Sequence, residues 1–165
     1  MLQPDMPSEG IELPLWYRAT PEREAARDHQ RARAEEAGLP IRFPAHIPNS
    51  RRALEATEYA ISVGKGSEFH RAVFHQYFVE RRDISEWETL RQAALDAGID
   101  ADEMQRRTES GEFAAAVTGR DAAAREAGVN SAPTYIINGK VKITGAQPDE
   151  VFEDAISRLA DDAEA

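Results

Sequence analysis

Hydrophobic residues recur every three to four positions along most of this chain, a spacing typical of amphipathic helices. Residues that begin or end helices separate the repeats, such as Thr20-Pro21 before one helix and Gly38 after it. The pattern predicts helices over about 21–37, 50–63 and 85–97, and over 112–127, with further helices beginning near 67, 100 and 148. The first 19 residues are predicted to be irregular, because prolines and Gly10 interrupt any period.

Two predicted helices have faces that we expect to be buried. In the helix over 50–63 these residues are Ala53, Leu54, Ala56, Ala60 and Ile61. In the next helix they form an aromatic stripe of Phe69, Val73, Phe74, Tyr77 and Phe78. Such a stripe is more typical of a core than of a ligand site. Ser85-x-x-Glu88 and Asp100-x-x-Glu103 are spaced as capping boxes, so Ser85 and Asp100 are predicted to cap the helices that follow them.

The segment Gly128–Gln147 predicts a β-hairpin. Thr134–Ile137 is rich in β-branched and aromatic residues, and Asn138-Gly139 is typical of a type I′ turn, whose two central residues need positive φ. Lys140–Thr144 is the predicted returning strand. A two-residue turn would pair Ile137 with Lys140, and the predicted apolar face is then Thr134, Ile136, Val141 and Ile143.

Length and composition restrict the class of protein. A chain of 165 residues is long enough for one domain with a single core. The sequence has no cysteine, which excludes disulfide bonds, thiolate metal sites and a cysteine nucleophile. A formal net charge of −10 disfavours binding to nucleic acid and to anionic membrane surfaces.

Membrane and export signals are not predicted either. No apolar run approaches the ~20 residues of a membrane-spanning helix. The opening residues Met1–Asp5 lack the basic start and apolar core of a signal peptide. We therefore expect a cytoplasmic protein.

Few side chains are spaced for catalysis or metal binding. His70 and His75 lie five residues apart, which separates them by about 140° around a helix. No His-x-x-x-His or His-Glu-x-x-His motif occurs, so no metal site is predicted. Gly64-Lys-Gly-Ser67 is too short for a phosphate-binding loop and differs from the Gly-x-Ser-x-Gly elbow of hydrolases. No cofactor is predicted.

Several motifs carry a family resemblance. Gly128-Val-x-Ser-Ala-Pro-Thr, the hairpin, and Gly145-Ala-Gln-Pro148 with its closing helix resemble the C-terminal half of a thioredoxin-fold domain. More narrowly, they resemble the DsbA family of thiol–disulfide oxidoreductases in its cytoplasmic FrnE-like branch. Leu2-Gln-Pro-Asp-Met-Pro7 resembles the segment after the second strand of that branch, and Tyr77–Ile84 resembles part of its helical insertion.

The resemblance implies a fold and a site. The expected fold is an incomplete thioredoxin-like α/β fold, a β-hairpin plus a C-terminal helix, with an all-helical insertion and mostly helical content. The thioredoxin-like part would comprise residues 1–49 and 129–165 and the insertion residues 50–128, all in one compact unit. Pro133 would be the cis-proline beside the active site. The backbone of Ala132 would pair with an extended peptide or protein thiol substrate.

The sequence departs from the family in its chemistry. The family's reaction depends on a Cys-x-x-Cys after the first strand, and no other side chain replaces an attacking thiolate. This chain has no cysteine and begins where the N-terminal βαβ unit should already have passed. We expect a piece of a longer enzyme rather than a thiol-less remnant. The chain is predicted to be inactive alone and to contain no catalytic residue.

Three further expectations concern partners and alternative functions. Without the missing strands, Thr134–Ile137 would have an unpaired edge, which predicts a homodimer through that edge or a rearrangement of the Met1–Ala19 arm. A thiol-less, chaperone-like peptide-binding module is one alternative function. A relative of kappa-type glutathione transferases and hydroxychromene-carboxylate isomerases is the other.

Overall fold

The computed structural model describes residues 6–164, with side chains described as far as residue 160. Its strands are β1 (Ile11–Glu12), β2 (His46–Ile47), β3 (Thr134–Ile137) and β4 (Val141–Thr144). Its helices are α1 (Leu15–Arg18), α2 (Pro21–Glu36), α3 (Arg51–Ser62), α4 (Gly66–Phe78), α5 (Trp87–Asp96), α6 (Ala101–Glu109), α7 (Ala114–Glu126) and α8 (Asp149–Glu164). With 57% of the chain in helices, the predicted mostly helical α/β class is confirmed. None of the described helices is long and apolar enough to cross a membrane.

The chain divides into two compact units. The N-terminal unit ends at Gly119, and the C-terminal unit begins at Arg120. The single compact unit expected from the sequence stays a prediction. The boundaries after residues 49 and 128 follow from the family resemblance and stay a prediction.

Four helices build the core of the N-terminal unit. Helix α4 packs against α3 and α5, and α6 packs against the same two helices. Phe69, Leu90 and Met104 are fully buried between them. Alanines surround these large side chains and let the helix backbones approach closely; the fully buried ones are Ala56, Ala60, Ala93 and Ala94.

The buried face of α3 is rotated from the predicted one. Ala53, Ala56 and Ala60 are buried as predicted, but Leu54 and Ile61 are 37% and 47% exposed. Tyr59, which was not predicted, is buried instead and packs edge-on against Phe113. The reason is that α3 packs against both α4 and α6, so its neighbours select the face and the larger aliphatic residues lie outside it.

The aromatic stripe of α4 is only partly core. Phe69 and Val73 are buried as predicted, whereas Phe74 is 50% exposed. Phe74 contacts His70 and Phe78 of its own helix, with ring centroids 4.3 and 5.6 Å away. Helical spacing identified an apolar stripe but did not reveal its width.

Helix beginnings follow from short-range hydrogen bonds. Thr20 caps α2 by accepting from the Arg23 N–H, and the Asp100 carboxylate caps α6 by accepting from the N–H groups of Asp102 and Glu103, as predicted. The predicted cap at Ser85 is wrong, because α5 begins two residues later at Trp87. The Ser85 hydroxyl donates to Asp83 Oδ1 at 2.6 Å instead.

The N-terminal arm is more ordered than predicted, although residues 1–5 lie outside the described part. Ile11–Glu12 lies in the segment predicted to be irregular, yet it pairs antiparallel with His46–Ile47. Gly10 makes this pairing sterically feasible. It has φ +76°, and a Cβ there would lie 2.4 Å from the Ile47 carbonyl oxygen. Among the described residues, β1 has β2 as its strand partner.

The C-terminal unit contains the predicted hairpin with a different register. Asn138 and Gly139 have φ of 50° and 68°, and the Lys140 N–H donates to the Ile137 carbonyl, as in a type I′ turn. However, Ile137 faces Val141 rather than Lys140. The returning strand thus contains one extra residue at the turn, as in a β-bulge.

The shift in register changes the apolar face of the hairpin. A slip of one residue moves a strand's side chains to the opposite face, so the predicted set of Thr134, Ile136, Val141 and Ile143 is wrong. The observed face consists of Tyr135, Ile137, Val141 and Ile143. The ring of Tyr135 packs edge-on against Phe152 of α8, with centroids 4.9 Å apart.

Candidate functional site

The candidate site is the loop between α7 and β3, which contains both residues predicted to bind substrate. Its backbone is turned at Gly128, with φ +71°, where α7 ends. The Val129 N–H donates to the Ala124 carbonyl and closes the last turn of the helix. From there the chain passes through Ser131 and Ala132 into Pro133, and the Ala132–Pro133 peptide bond is cis.

Two hydrogen bonds hold the loop against the hairpin. The Gly145 N–H donates to the Pro133 carbonyl at 2.8 Å. The Thr134 hydroxyl donates to the Ser131 carbonyl at 2.7 Å. These bonds fix the backbone on both sides of Ala132, so the loop is anchored to the start of β3 and the end of β4.

Ala132 itself is exposed and keeps its backbone groups available. Ser131, Ala132 and Pro133 are all exposed. Within the described residues, neither the N–H nor the C=O of Ala132 takes part in a hydrogen bond. An exposed peptide group in a fixed loop can donate to or accept from an incoming chain without first breaking an internal bond.

The strand that follows continues this available edge. In the described part of the chain, β3 pairs with β4 alone, so its other side, called the open edge below, has no backbone partner. Tyr135 and Ile136 are 45% and 48% exposed. An unpaired strand edge is a template for an additional strand. The loop and the open edge together form one exposed, extended backbone surface.

This surface carries neither a thiol nor an imidazole. The whole sequence has no cysteine, and its four histidines, His29, His46, His70 and His75, all lie in the N-terminal unit. The Ser131 hydroxyl therefore has no imidazole within its own unit to act as its base. What the arrangement supports is binding through the backbone.

The N-terminal unit contains a histidine cluster that sequence reasoning missed. The two ring nitrogens of His46 lie 3.1 Å from Glu12 Oε1 and 3.0 Å from Asp83 Oδ2. Tyr77 donates its hydroxyl to the His46 carbonyl at 3.2 Å. No local signal could have found this cluster, because its members are brought together only by the β1–β2 pairing and the loop after α4. Among the described residues there is no group of three or more ligands suited to a metal ion.

Comparison with known proteins identifies one relative by sequence and two solved structures of similar fold. The uncharacterized protein YwbO of Bacillus subtilis (strain 168) is 33% identical over 129 residues, covering 75% of this chain and 63% of that protein. The solved structure of a probable DsbA oxidoreductase, SCO1869 from Streptomyces coelicolor, has a TM-score of 0.75 at 24% identity. The match covers 83% of this chain and 60% of that one.

A second solved structure is a 2-hydroxychromene-2-carboxylate isomerase, with a TM-score of 0.72 at 21% identity over 86% of this chain and 68% of that one. At this identity both structures show similarity of fold alone. The chain spans less than two thirds of YwbO and of SCO1869. The family model for the DSBA-like thioredoxin domain matches residues 2–157, and this chain therefore belongs to the DSBA-like thioredoxin domain family.

Proposed function

We propose that this chain carries the polypeptide-binding part of a thiol–disulfide oxidoreductase of the FrnE-like branch, and that alone it catalyses no disulfide exchange. The observation that carries the proposal is the exposed Ala132 backbone leading into the open edge of β3. An extended polypeptide can add to such an edge through main-chain hydrogen bonds. A cytoplasmic location, expected from the sequence, is part of the proposal.

The absence of cysteine decides what the chain can do alone. Exchange begins when a thiolate attacks a disulfide sulfur, and this sequence supplies no thiolate. The chain can therefore position a substrate, but the attacking sulfur has to come from another polypeptide segment or an added thiol.

Insulin reduction by dithiothreitol tests the catalytic half of the proposal. We expect the rate with this chain to equal the rate with dithiothreitol alone, because no protein thiolate forms the mixed disulfide. Turnover above that baseline, scaling with protein concentration and absent from a sample inactivated by heat, would contradict the proposed inactivity.

A methylated peptide series tests the binding half. An extended nine-residue peptide and two N-methylated versions are compared, with the methyl groups on the N–H groups of one strand edge or of the other. If the peptide adds to β3, methylation of the pairing edge weakens binding by about tenfold or more, while methylation of the outer edge has little effect. Amide signals from Ala132 to Ile137 should shift on binding. Equal binding of all three peptides would contradict strand addition.

A chaperone-like module is the second candidate, and the exposure of Tyr135 and Ile136 beside the loop supports it. Such a module would suppress aggregation of reduced, unfolded insulin chains in stoichiometric amounts without needing any thiol. The isomerase-like alternative predicts instead that glutathione stays bound through purification, which mass spectrometry under native conditions measures.

We also propose that the open edge of β3 pairs with a second copy of the chain when no peptide is present. Light scattering should then give a dimer mass, and the β3 amides should exchange slowly with solvent. A monomer whose β3 amides nevertheless exchange slowly would exclude this pairing.

A further inference from the structure

The turn of the hairpin contains the pair Asn138-Gly139, which has a covalent chemistry of its own. The main-chain nitrogen of the residue after an asparagine can attack the side-chain amide carbon, and glycine hinders this attack least because it has no Cβ. The chain contains three asparagines, Asn49, Asn130 and Asn138. Asn138 is followed by glycine, whereas the two others are followed by serine.

Both reacting groups are accessible at the turn. Asn138 and Gly139 are exposed. Within the described residues, neither the side-chain amide of Asn138 nor the N–H of Gly139 takes part in a hydrogen bond. The bond that closes the turn is made by their neighbours, since the Lys140 N–H donates to the Ile137 carbonyl at 3.0 Å. The attacking nitrogen and the amide under attack are therefore not held by other contacts.

Asn49 is a protected asparagine in the same chain. Its side-chain nitrogen donates to the carbonyls of Met6 and Pro7 at 3.1 and 3.2 Å, and its side-chain oxygen accepts from the Arg51 N–H at 3.0 Å. These three hydrogen bonds fix the amide. Asn130 is exposed in the loop before β3, but the serine that follows it has a Cβ that hinders the attack. The structure and the sequence thus both favour reaction at Asn138.

The end of the hairpin can open far enough for the reaction. Each strand has four residues, and among the described residues β3 and β4 form a sheet of two strands. A two-stranded hairpin is only marginally stable in water unless it packs against other elements. The ring contact with α8 is at Tyr135, away from the turn. The turn can therefore open briefly without unfolding the rest of the hairpin, and the attack takes place in that open form.

We propose that Asn138 is a site of spontaneous deamidation that alters the hairpin as the protein ages. The Gly139 nitrogen bonds to Cγ of Asn138 while its proton passes through solvent to the leaving group. The Cγ–Nδ2 bond breaks and the amide nitrogen leaves as ammonia, so that a five-membered succinimide remains in the main chain. Water then opens the ring at either of its carbonyls, which gives aspartate or isoaspartate. No oxidant, reductant or further reactant is needed.

The two products have different effects on the turn. Aspartate keeps the main chain unchanged, and Asp-Gly is typical of a type I′ turn as Asn-Gly is. Isoaspartate adds a methylene group to the main chain, so the Lys140 N–H no longer meets the Ile137 carbonyl and the strands separate near the turn. Because β3 also supplies the open edge, isoaspartate should weaken peptide binding there as well. This last consequence rests on the proposed function.

Incubation of the full chain at mildly alkaline pH tests the proposal. Peptide mapping by mass spectrometry follows the loss of ammonia at each asparagine. Loss at Asn138 should be at least about tenfold faster than at Asn49 or Asn130, which corresponds to a barrier lower by about 1.4 kcal/mol. Enzymatic methylation of isoaspartyl carboxylates should detect isoaspartate at position 138. In that fraction the amides of residues 134–144 should exchange with solvent faster than in the fresh chain.

Two variants separate the effects of charge and chain length. Asn138→Gly accepts positive φ and lacks the amide, so its hairpin amides should exchange equally before and after incubation. Freshly prepared Asn138→Asp carries the new charge on an unaltered main chain, so its hairpin should exchange like that of the fresh natural chain. None of these measurements involves a peptide, so they are independent of whether the open edge binds one. Equal rates at the three asparagines, an isoaspartate fraction with an unchanged hairpin, or a disrupted hairpin in fresh Asn138→Asp would each overturn the proposal.

Discussion

The Lys142 ammonium donates to the Gly128 carbonyl at 3.1 Å, which connects β4 with the end of α7. The two residues are 14 positions apart and lie on either side of the loop that contains Ala132 and Pro133. The carbonyls at a helix end lack helical partners, and a cation there is favoured by the helix dipole. This single contact therefore helps to hold the hairpin at the point where the candidate site begins.

Removing the lysine charge should destabilise the hairpin modestly. We expect Lys142→Met to lower the free energy of unfolding by about 0.5–1 kcal/mol, because the helix-end carbonyl loses its charged donor. Lys140→Met is the matched control at the exposed turn and should have little effect. Urea unfolding at about 0.02 M and about 0.5 M salt measures both, and the difference should shrink at high salt because ions screen the interaction. Equal effects of the two substitutions would contradict the role of Lys142.

Two leucines of α5 offer a test of the core. Leu90 is fully buried, whereas Leu95 is 62% exposed on the same helix. Leu90→Ala should lower the free energy of unfolding by about 2–5 kcal/mol, since it leaves a cavity among closely packed helices. Leu95→Ala should change it by less than about 0.5 kcal/mol. Chemical denaturation checks the pair, and similar losses would mean that the helix packs through another face.

Tyr77 should make stability depend on pH in the alkaline range. Burial, and secondly the nearby Asp83 carboxylate, raise the pKa of Tyr77 above its ordinary value of 10.0. The unfolded chain then loses this proton first. The resulting stabilisation is complete below about pH 10 and is lost as the pH rises through the higher pKa of the folded state.

The Tyr77→Phe variant should isolate that effect. At neutral pH it should be less stable than the natural chain by about 0.5–1.5 kcal/mol, because the hydrogen bond to the His46 carbonyl is lost. As the pH rises above about 10, the difference should shrink, since phenylalanine does not ionise. Unfolding measured at about pH 8 and about pH 11, with absorbance at 295 nm to follow phenolate formation, tests this. A difference that stays constant would refute the explanation.

Features decided by neighbouring residues could be predicted from the sequence. The prediction that Asp100 caps α6 was correct, because its carboxylate accepts from N–H groups that lie only two and three residues further along the chain. The turn at Asn138-Gly139 was correct because few residue pairs accept positive φ at both positions. The similar-looking cap at Ser85 failed because the Asp83 carboxylate, two residues away, accepts from both the hydroxyl and the N–H of Ser85.

The candidate site was predicted only in part. Ala132 and Pro133 could be identified by resemblance, and the structure places both in an exposed loop at the start of β3. Whether they bind substrate stays a prediction.

The sequence by itself determined the helices that follow residue 20, the two-strand hairpin with its turn, and a chemistry without thiols, since each depends on composition or on contacts between near neighbours. It missed the short helix α1 (Leu15–Arg18). Tertiary structure alone decided the register of the hairpin beyond its turn. It also decided that Tyr59 rather than Leu54 is buried, and that His46 contacts both Glu12 and Asp83. The physical reason is that these outcomes depend on which distant surfaces exclude water together. The helix and strand propensities of neighbouring residues do not show which distant residues will pack together.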